Sequence, residues 1–297
     1  MKKLVVVAIM MAAMTAQAKR PAFSPEPYWM PGRTVAVDGV TVTYLEAGTG
    51  PVLLLVHGWA GNIYNWKEVI LPLSQDFRVI ALDLPGSGQS GCCSCRQYTT
   101  TAYADFLAHF LDALQIKKAS VLGNSMGGQV AAEFALNYPD RIEKLILCDA
   151  AGAGNFPGLF KLAGVVMTGR TVIPLIHLVF PVKEEKLLKQ PESERLRVRL
   201  AEQRYGSDAR ACTGRALSAS MKSMVRHDLS DRLGRIQAPT LVIWGSNDDL
   251  LPVATADRFA AKIAGSKKVI IAGGVHTPMQ WQPAEFVSTV TSFLRAD

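Results

Sequence analysis

Beyond the first sixteen positions, no stretch of this sequence is long and apolar enough to cross a bilayer, so it does not read as a protein built of membrane spans. It has no compact basic block interleaved with aromatics, and a nucleic-acid partner is therefore not expected. Internal repeats and long polar, low-complexity tracts are also missing, which argues against a solenoid or an extended disordered tail. Cysteine is scarce, at five residues, and the odd number leaves at least one without a partner in the chain. Cys92, Cys93 and Cys95 crowd a Gly- and Ser-rich loop, Cys148 ends an apolar run, and Cys212 lies in a charged segment. The cluster lacks paired C-x-x-C units and has no histidine beside it, so no metal site is expected.

What is present is a core-forming composition. Apolar residues make up 49% of 297 positions, ample for one large domain or a domain with an insertion. Met1-Lys2-Lys3, the apolar run Leu4–Ala16 and the small-residue pattern Ala16-Gln17-Ala18 together read as a secretory signal over 1–18. The mature chain would then begin near Lys19, in the periplasm or outside the cell. An uncleaved N-terminal anchor is the alternative. Export permits disulfides, and a bond from the loop cluster to Cys212 is one pairing to consider. Net charge is +7, or +5 once Lys2 and Lys3 are set aside. Peripheral contact with anionic lipid head groups or envelope polymers is one reading of that charge, and a generic solvated surface is the plainer one. Nothing in the sequence sets the oligomeric state.

Taken in order, Thr34–Val37 and Val40–Glu46 flank Asp38-Gly39 and read as a hairpin. Val52–Val56, Phe77–Leu82, Ala119–Leu122 and Ile142–Cys148 read as buried strands, separated by helical stretches at Tyr64–Leu73, Tyr103–Leu114 and Gln129–Tyr138. This alternation predicts an α/β fold with a mostly parallel central sheet flanked by helices. It stops near Ala150 and resumes with Thr240–Trp244, Ala254–Ile263, Lys268–Ile271 and Ala284–Leu294. The predicted organisation is a core domain from 19–151 and 236–297, interrupted by a helical cap insertion at 152–235. Such a cap would sit over the strand ends, where open α/β sheets keep their ligand crevice.

The chain is organised around Gly123-Asn124-Ser125-Met126-Gly127, a G-x-S-x-G pattern between a strand and a helix. In that context the pattern means a nucleophile elbow. The turn crowds the residues two before and two after Ser125, and Gly123 and Gly127 relieve the crowding because they have no Cβ. A serine hydroxyl needs a base within reach. Of the five histidines, His109 falls on a helix, His177 and His227 fall in the cap, and His57 more plausibly pins its own loop. His276, in the Gly-rich loop before the last helix, opens at the elbow's edge of the sheet and is assigned as the base. A carboxylate must fix that base. Asp248 is favoured, Asp249 is its neighbour and nearest rival, and Asp149 is a further rival whose plainer role is a hydrogen bond at a strand end. Oxyanion donors are expected from the backbone N–H of Met126 and, in the loop after Val52–Val56, of Trp59. Within the cap, Phe160 and Met167 belong to an apolar stretch that can line an acyl pocket or simply glue the cap to the sheet.

His57-Gly58-Trp59, Asp83-x-x-Gly86-x-Gly88-x-Ser90, Gly123-Asn124-Ser125-Met126-Gly127-Gly128, Trp244-Gly245-x-x-Asp248-x-x-x-Pro252, and His276 with Pro283 follow one another in the order of a known superfamily. On these motifs nearly all of the chain after the signal resembles the α/β hydrolases, and the resemblance implies the α/β-hydrolase fold and a Ser125–Asp248–His276 triad. The elbow is similar to those of some lipases and esterases, and also to those of carbon–carbon bond hydrolases acting on ring-cleavage products. Epoxide hydrolases and haloalkane dehalogenases carry Asp at the nucleophile position, so Ser125 argues against both. Val275 departs from the Gly found there in many relatives, and the cysteine-rich loop is a second departure. The expected function is hydrolysis of a small carboxylic ester, lipid-like substrates included, with no cofactor and no metal. The rivals are a carbon–carbon bond hydrolase of ring-cleavage-type diketones and a hydrolase-fold binding protein without catalysis.

Overall fold

Every residue of Leu53–Val56 is apolar, and a strand with no polar face must be covered on both sides. The computed structural model, which describes residues 29–93, 98–154 and 210–296, shows this arrangement. Leu54 and Val56 join the core on one face of the sheet and Leu53 and Leu55 the core on the other, all four with no exposed surface. Burial of side chains of this size contributes about 1.5–3 kcal/mol each. The strand they form, β3 (Val52–Val56), lies well inside an eight-stranded sheet.

The other strands are β1 (Arg33–Val37), β2 (Val40–Ala47), β4 (Arg78–Leu82), β5 (Ala119–Asn124), β6 (Ile142–Cys148), β7 (Thr240–Gly245) and β8 (Lys267–Ile271). Their spatial order is β1-β2-β4-β3-β5-β6-β7-β8. β1 and β2 pair antiparallel around Asp38 and Gly39, both at positive φ, as a two-residue hairpin of this hand requires. β2 also runs antiparallel to β4, and all pairs from β4 to β8 are parallel. The mostly parallel sheet expected from the βα rhythm is therefore present.

The described helices are α1 (Lys67–Leu73), α2 (Thr100–Ala113), α3 (Met126–Asn137), α4 (Arg210–Arg226), α5 (Ala254–Lys262), α6 (Pro278–Trp281) and α7 (Pro283–Arg295). Phe110, Phe134, Met221 and Phe259 place α2, α3, α4 and α5 over one face. Val69, Met279 and Phe286 place α1, α6 and α7 over the other. The helix expected from Tyr64 divides into a 3-10 turn, Ile63–Trp66, followed by α1. Asn62 caps the turn, accepting from the Tyr64 N–H at 3.0 Å, while Asn65 caps back onto the Asn62 N–H at 3.0 Å. None of the described helices is long and apolar enough to cross a membrane.

Between β6 and β7 the described residues include α4. Ser223 on it accepts from the Thr100 N–H at 3.0 Å, tying α4 to the start of α2. A disulfide from Cys92 to Cys212 ties α4 to the loop after β4 across 120 positions. Cys93 is disulfide-bonded as well, and Cys148 is the free, buried thiol among the described residues. Most of the expected cap, Phe160 and Met167 included, and the expected signal at 1–18 lie outside the described residues.

Candidate active site

The C-terminal ends of the parallel strands deliver the chemistry. At the end of β5, Ser125 has φ 55° and ψ −119°, a backbone conformation an L-residue adopts only under constraint. Strain of this kind costs on the order of 1–3 kcal/mol and is held by its surroundings. Here the Ser125 N–H donates to the Cys148 carbonyl at 3.0 Å, and its own carbonyl accepts from Gly128 and Ala151, each at 3.0 Å. The two glycines are obligatory for steric reasons. A Cβ on Gly123 would lie 2.1 Å from the Gly127 carbonyl oxygen, and one on Gly127 would lie 2.1 Å from that of Val56. Ser125 itself is half-buried, so its hydroxyl is within reach of a substrate.

His276 sits in the loop between β8 and α6, and its Nδ1 lies 2.8 Å from Asp248 Oδ2. Asp248 follows β7. Its Oδ1 accepts from the N–H groups of Leu250 at 2.8 Å and Leu251 at 2.9 Å, and its side chain is fully buried. Three donors thus converge on one carboxylate. The Asp248 bond places the imidazole proton on Nδ1 and leaves Nε2 without one. Asp249 is exposed, so the turn itself separates the two neighbouring acids. Asn124, one residue before Ser125, donates from Nδ2 to the His276 carbonyl at 3.1 Å and binds the elbow to the base loop. Sequence reasoning missed this brace, since an Asn inside a G-x-S-x-G pattern carries no signal of a partner 152 positions away.

The loop holding Trp59 abuts the elbow, for a Cβ on Gly58 would lie 3.1 Å from Ser125 Cβ. His57 is fully buried, with Nε2 accepting from the Leu84 N–H at 3.1 Å and Nδ1 lying 2.8 Å from the Gly58 carbonyl. Both ring nitrogens are thus engaged in holding the loop. Trp59 Nε1 donates to the Leu217 carbonyl at 2.9 Å, fastening the same loop to α4. Met126, the first residue of α3, points its backbone N–H out of the helix N-terminus, as first-turn residues do. His109 instead pairs with Asp38 at 2.7 Å on the surface, and His227 lies 3.2 Å from Glu133 of α3.

Asp149, the further rival at the end of β6, lies beside the Asp248–His276 pair. It is fully buried at φ 43°, and its Oδ1 accepts from the Gly245 N–H at 2.9 Å. Cys148 Sγ donates to Oδ2 at 3.1 Å. Polar atoms of Asp149, Asp248 and His276 all lie within 4.8 Å of one another. Burial pushes the Asp149 carboxyl well above the usual carboxylate range, against the pull of the Gly245 N–H, with the Asp248 charge adding to the rise. Burial likewise pushes the Cys148 thiol up. Two acids and a histidine can form a metal site. In this cluster, however, the His276 and Asp248 atoms are spent on each other, and Asp149 is spent on Gly245 and Cys148.

Residues 51–171 match the model of the alpha/beta hydrolase fold family. The chain is 30% identical to a 2-hydroxymuconate semialdehyde hydrolase of Pseudomonas sp. (strain CF600), over 89% of this chain and 93% of that protein. Its structure is similar to that of the enol-lactonase from Burkholderia xenovorans LB400, with a TM-score of 0.73 and 26% identity, covering 89% of this chain and 100% of the other. It is also similar to a membrane phospholipase A described as a bacterial virulence factor, with a TM-score of 0.69 and 27% identity over 98% of this chain and 91% of that one. Its motif order, its eight-stranded sheet and these likenesses agree: the chain belongs to the α/β-hydrolase fold family and is a hydrolase.

Proposed function

We propose that this protein is an exported serine hydrolase that cleaves carboxylic esters through an acyl-Ser125 intermediate. The observation that carries the reading is the Asp248–His276 pair at 2.8 Å, braced by Asn124 against a strained Ser125. His276 Nε2 takes the proton of Ser125 Oγ as the oxygen attacks the ester carbonyl, and Asp248 stabilises the imidazolium that forms. The N–H groups of Trp59 and Met126 hold the tetrahedral oxyanion. His276 passes its proton to the departing alcohol, then accepts one from the water that attacks the acyl-enzyme. The carboxylic acid leaves with Ser125 restored.

Export is supported by the lysine-led apolar leader and by the Cys92–Cys212 disulfide, a bond that persists in oxidising compartments. The likeness to a phospholipase over 98% of the chain favours an ester substrate, lipid-like ones included. A second reading, carbon–carbon bond hydrolysis of a ring-cleavage-type diketone, is favoured by the 30% identity to 2-hydroxymuconate semialdehyde hydrolase. The two part in a direct comparison of chromogenic acyl esters of rising chain length with a ring-fission dienoate. The ester reading expects kcat/KM to climb from acetyl to medium-length acyl groups, each buried methylene contributing about 0.8 kcal/mol. Phe160→Ala or Met167→Ala should flatten that climb. Fast turnover of the dienoate with negligible ester cleavage would overturn the ester reading in favour of the second.

A further inference from the structure

The mechanism above uses two of the three polar side chains that meet behind the elbow. Asp149 remains, fully buried, with a carboxyl oxygen within 4.8 Å of one of Asp248. Two buried carboxylates this close disfavour a double charge, so the pair holds one proton. The donors around the two carboxyl groups decide where it resides. Asp248 accepts from two backbone N–H groups and from His276, whereas Asp149 accepts one backbone N–H and one weak thiol donor. The better-solvated carboxylate is Asp248, and the proton belongs to Asp149. Asp149 Oδ1 accepts the Gly245 N–H and Oδ2 only the weaker Cys148 thiol donor, so Oδ2 is the oxygen assigned the proton.

We propose that Asp149 is a positioning residue of the active site, kept as a neutral carboxylic acid that donates its O–H to the Asp248 carboxylate and so locks the acid that orients His276. The direction of its titration agrees, since burial favours its protonated form. The other titratable groups facing the pair are the Cys148 thiol on β6 and the His276 imidazole, both already engaged in the cluster. The backbone supports the same role. The positive φ of Asp149 sets its side chain at the end of β6, while the Asp149 N–H is spent on the Ile243 carbonyl at 3.1 Å. This proposal rests on the reading of Asp248 and His276 as the acid and base of the site.

The test combines an infrared signature with rescue by the conservative variant. At neutral pH the wild-type protein should show the carbonyl stretch of a protonated carboxylic acid, shifted by 13C-aspartate labelling. The band should survive in Asp248→Asn and vanish in Asp149→Asn. In turnover, Asp149→Ala should lose roughly 10- to 100-fold in kcat with KM little changed, the scale for a group that orients an active residue. Asp149→Asn, whose amide can still donate to Asp248, should recover most of that loss. Absence of the band in wild type, its loss in Asp248→Asn, or an Asn variant as slow as the Ala variant would overturn the proposal. The infrared measurement needs no substrate, so it decides the state of Asp149 even where the ester reading fails.

Discussion

Asn124 holds the carbonyl of His276 at 3.1 Å, so the residue before Ser125 ties the elbow to the loop that carries His276. The two belong to β5 and to the loop after β8, with β6 and β7 lying between those strands in the sheet. Replacing Asn124 by Ala should leave the fold intact and lower kcat by roughly tenfold, the cost of one buried hydrogen bond at a point where sub-ångström placement matters. Stopped-assay kinetics on the purified variant measure it. An unchanged kcat would show that the base loop is held without this bond.

The glycines of the elbow make a second prediction. Gly127→Ala drives a Cβ to 2.1 Å from the Val56 carbonyl oxygen, which cannot move without breaking the β3–β5 ladder. Destabilisation should exceed about 3 kcal/mol or abolish soluble expression. Gly265→Ala is the control. It has a positive φ, at 69°, but opens onto free space, and it should cost only about 1–2 kcal/mol. Equal losses in thermal denaturation would contradict the clash argument.

The Cys92–Cys212 bond closes a loop of 120 positions and restrains the helix on which Trp59 is fastened. Loops of this length gain up to about 5 kcal/mol from closure in the chain-entropy account. Cys212→Ser should therefore lower Tm by many degrees and speed amide exchange in Arg210–Arg226. An unchanged Tm would mean that α4 is secured by packing alone.

Legibility followed physical simplicity. Val52–Val56 and Ile142–Cys148 match their predicted bounds, because continuous apolar runs closed by polar or glycine residues leave little choice of register. The helix after the elbow begins at Met126 rather than Gln129, since Gly127 and Gly128 are poor helix formers. Their place there is set by close approach to Val56 and Ala150 instead, a tertiary demand that propensity does not encode. Ser125, Asp248 and His276 could be picked out by type and order. That Asp248 rather than Asp249 meets His276 depends on the turn whose N–H groups grip it. Asp149 was legible only as a rival acid, and Asn124 not at all, because their contacts join strand ends far apart in sequence.

Stability should respond to pH through Asp149. Its native carboxyl titrates well above the usual carboxylate range, whereas in the unfolded chain it titrates near that range. Between those two values the native state holds a proton that the unfolded state has lost. This contribution is complete below the unfolded value and is lost as pH rises toward the native one, by about 1.4 kcal/mol per pH unit. Asp149→Asn has no such proton to lose. Its stability relative to wild type should therefore rise steadily with pH in denaturant titrations, and a constant difference would place an ionised Asp149 in the native protein.

The central claim is that Ser125 is the nucleophile and His276 the base that activates it. It is tested most directly by labelling the protein with a fluorophosphonate and locating the adduct by tandem mass spectrometry. The account predicts one adduct, on Ser125, that is absent in Ser125→Ala and forms far more slowly in His276→Ala. Ester turnover should fall with it by several orders of magnitude. An adduct on a different serine, or labelling of Ser125 at an undiminished rate in His276→Ala, would contradict it.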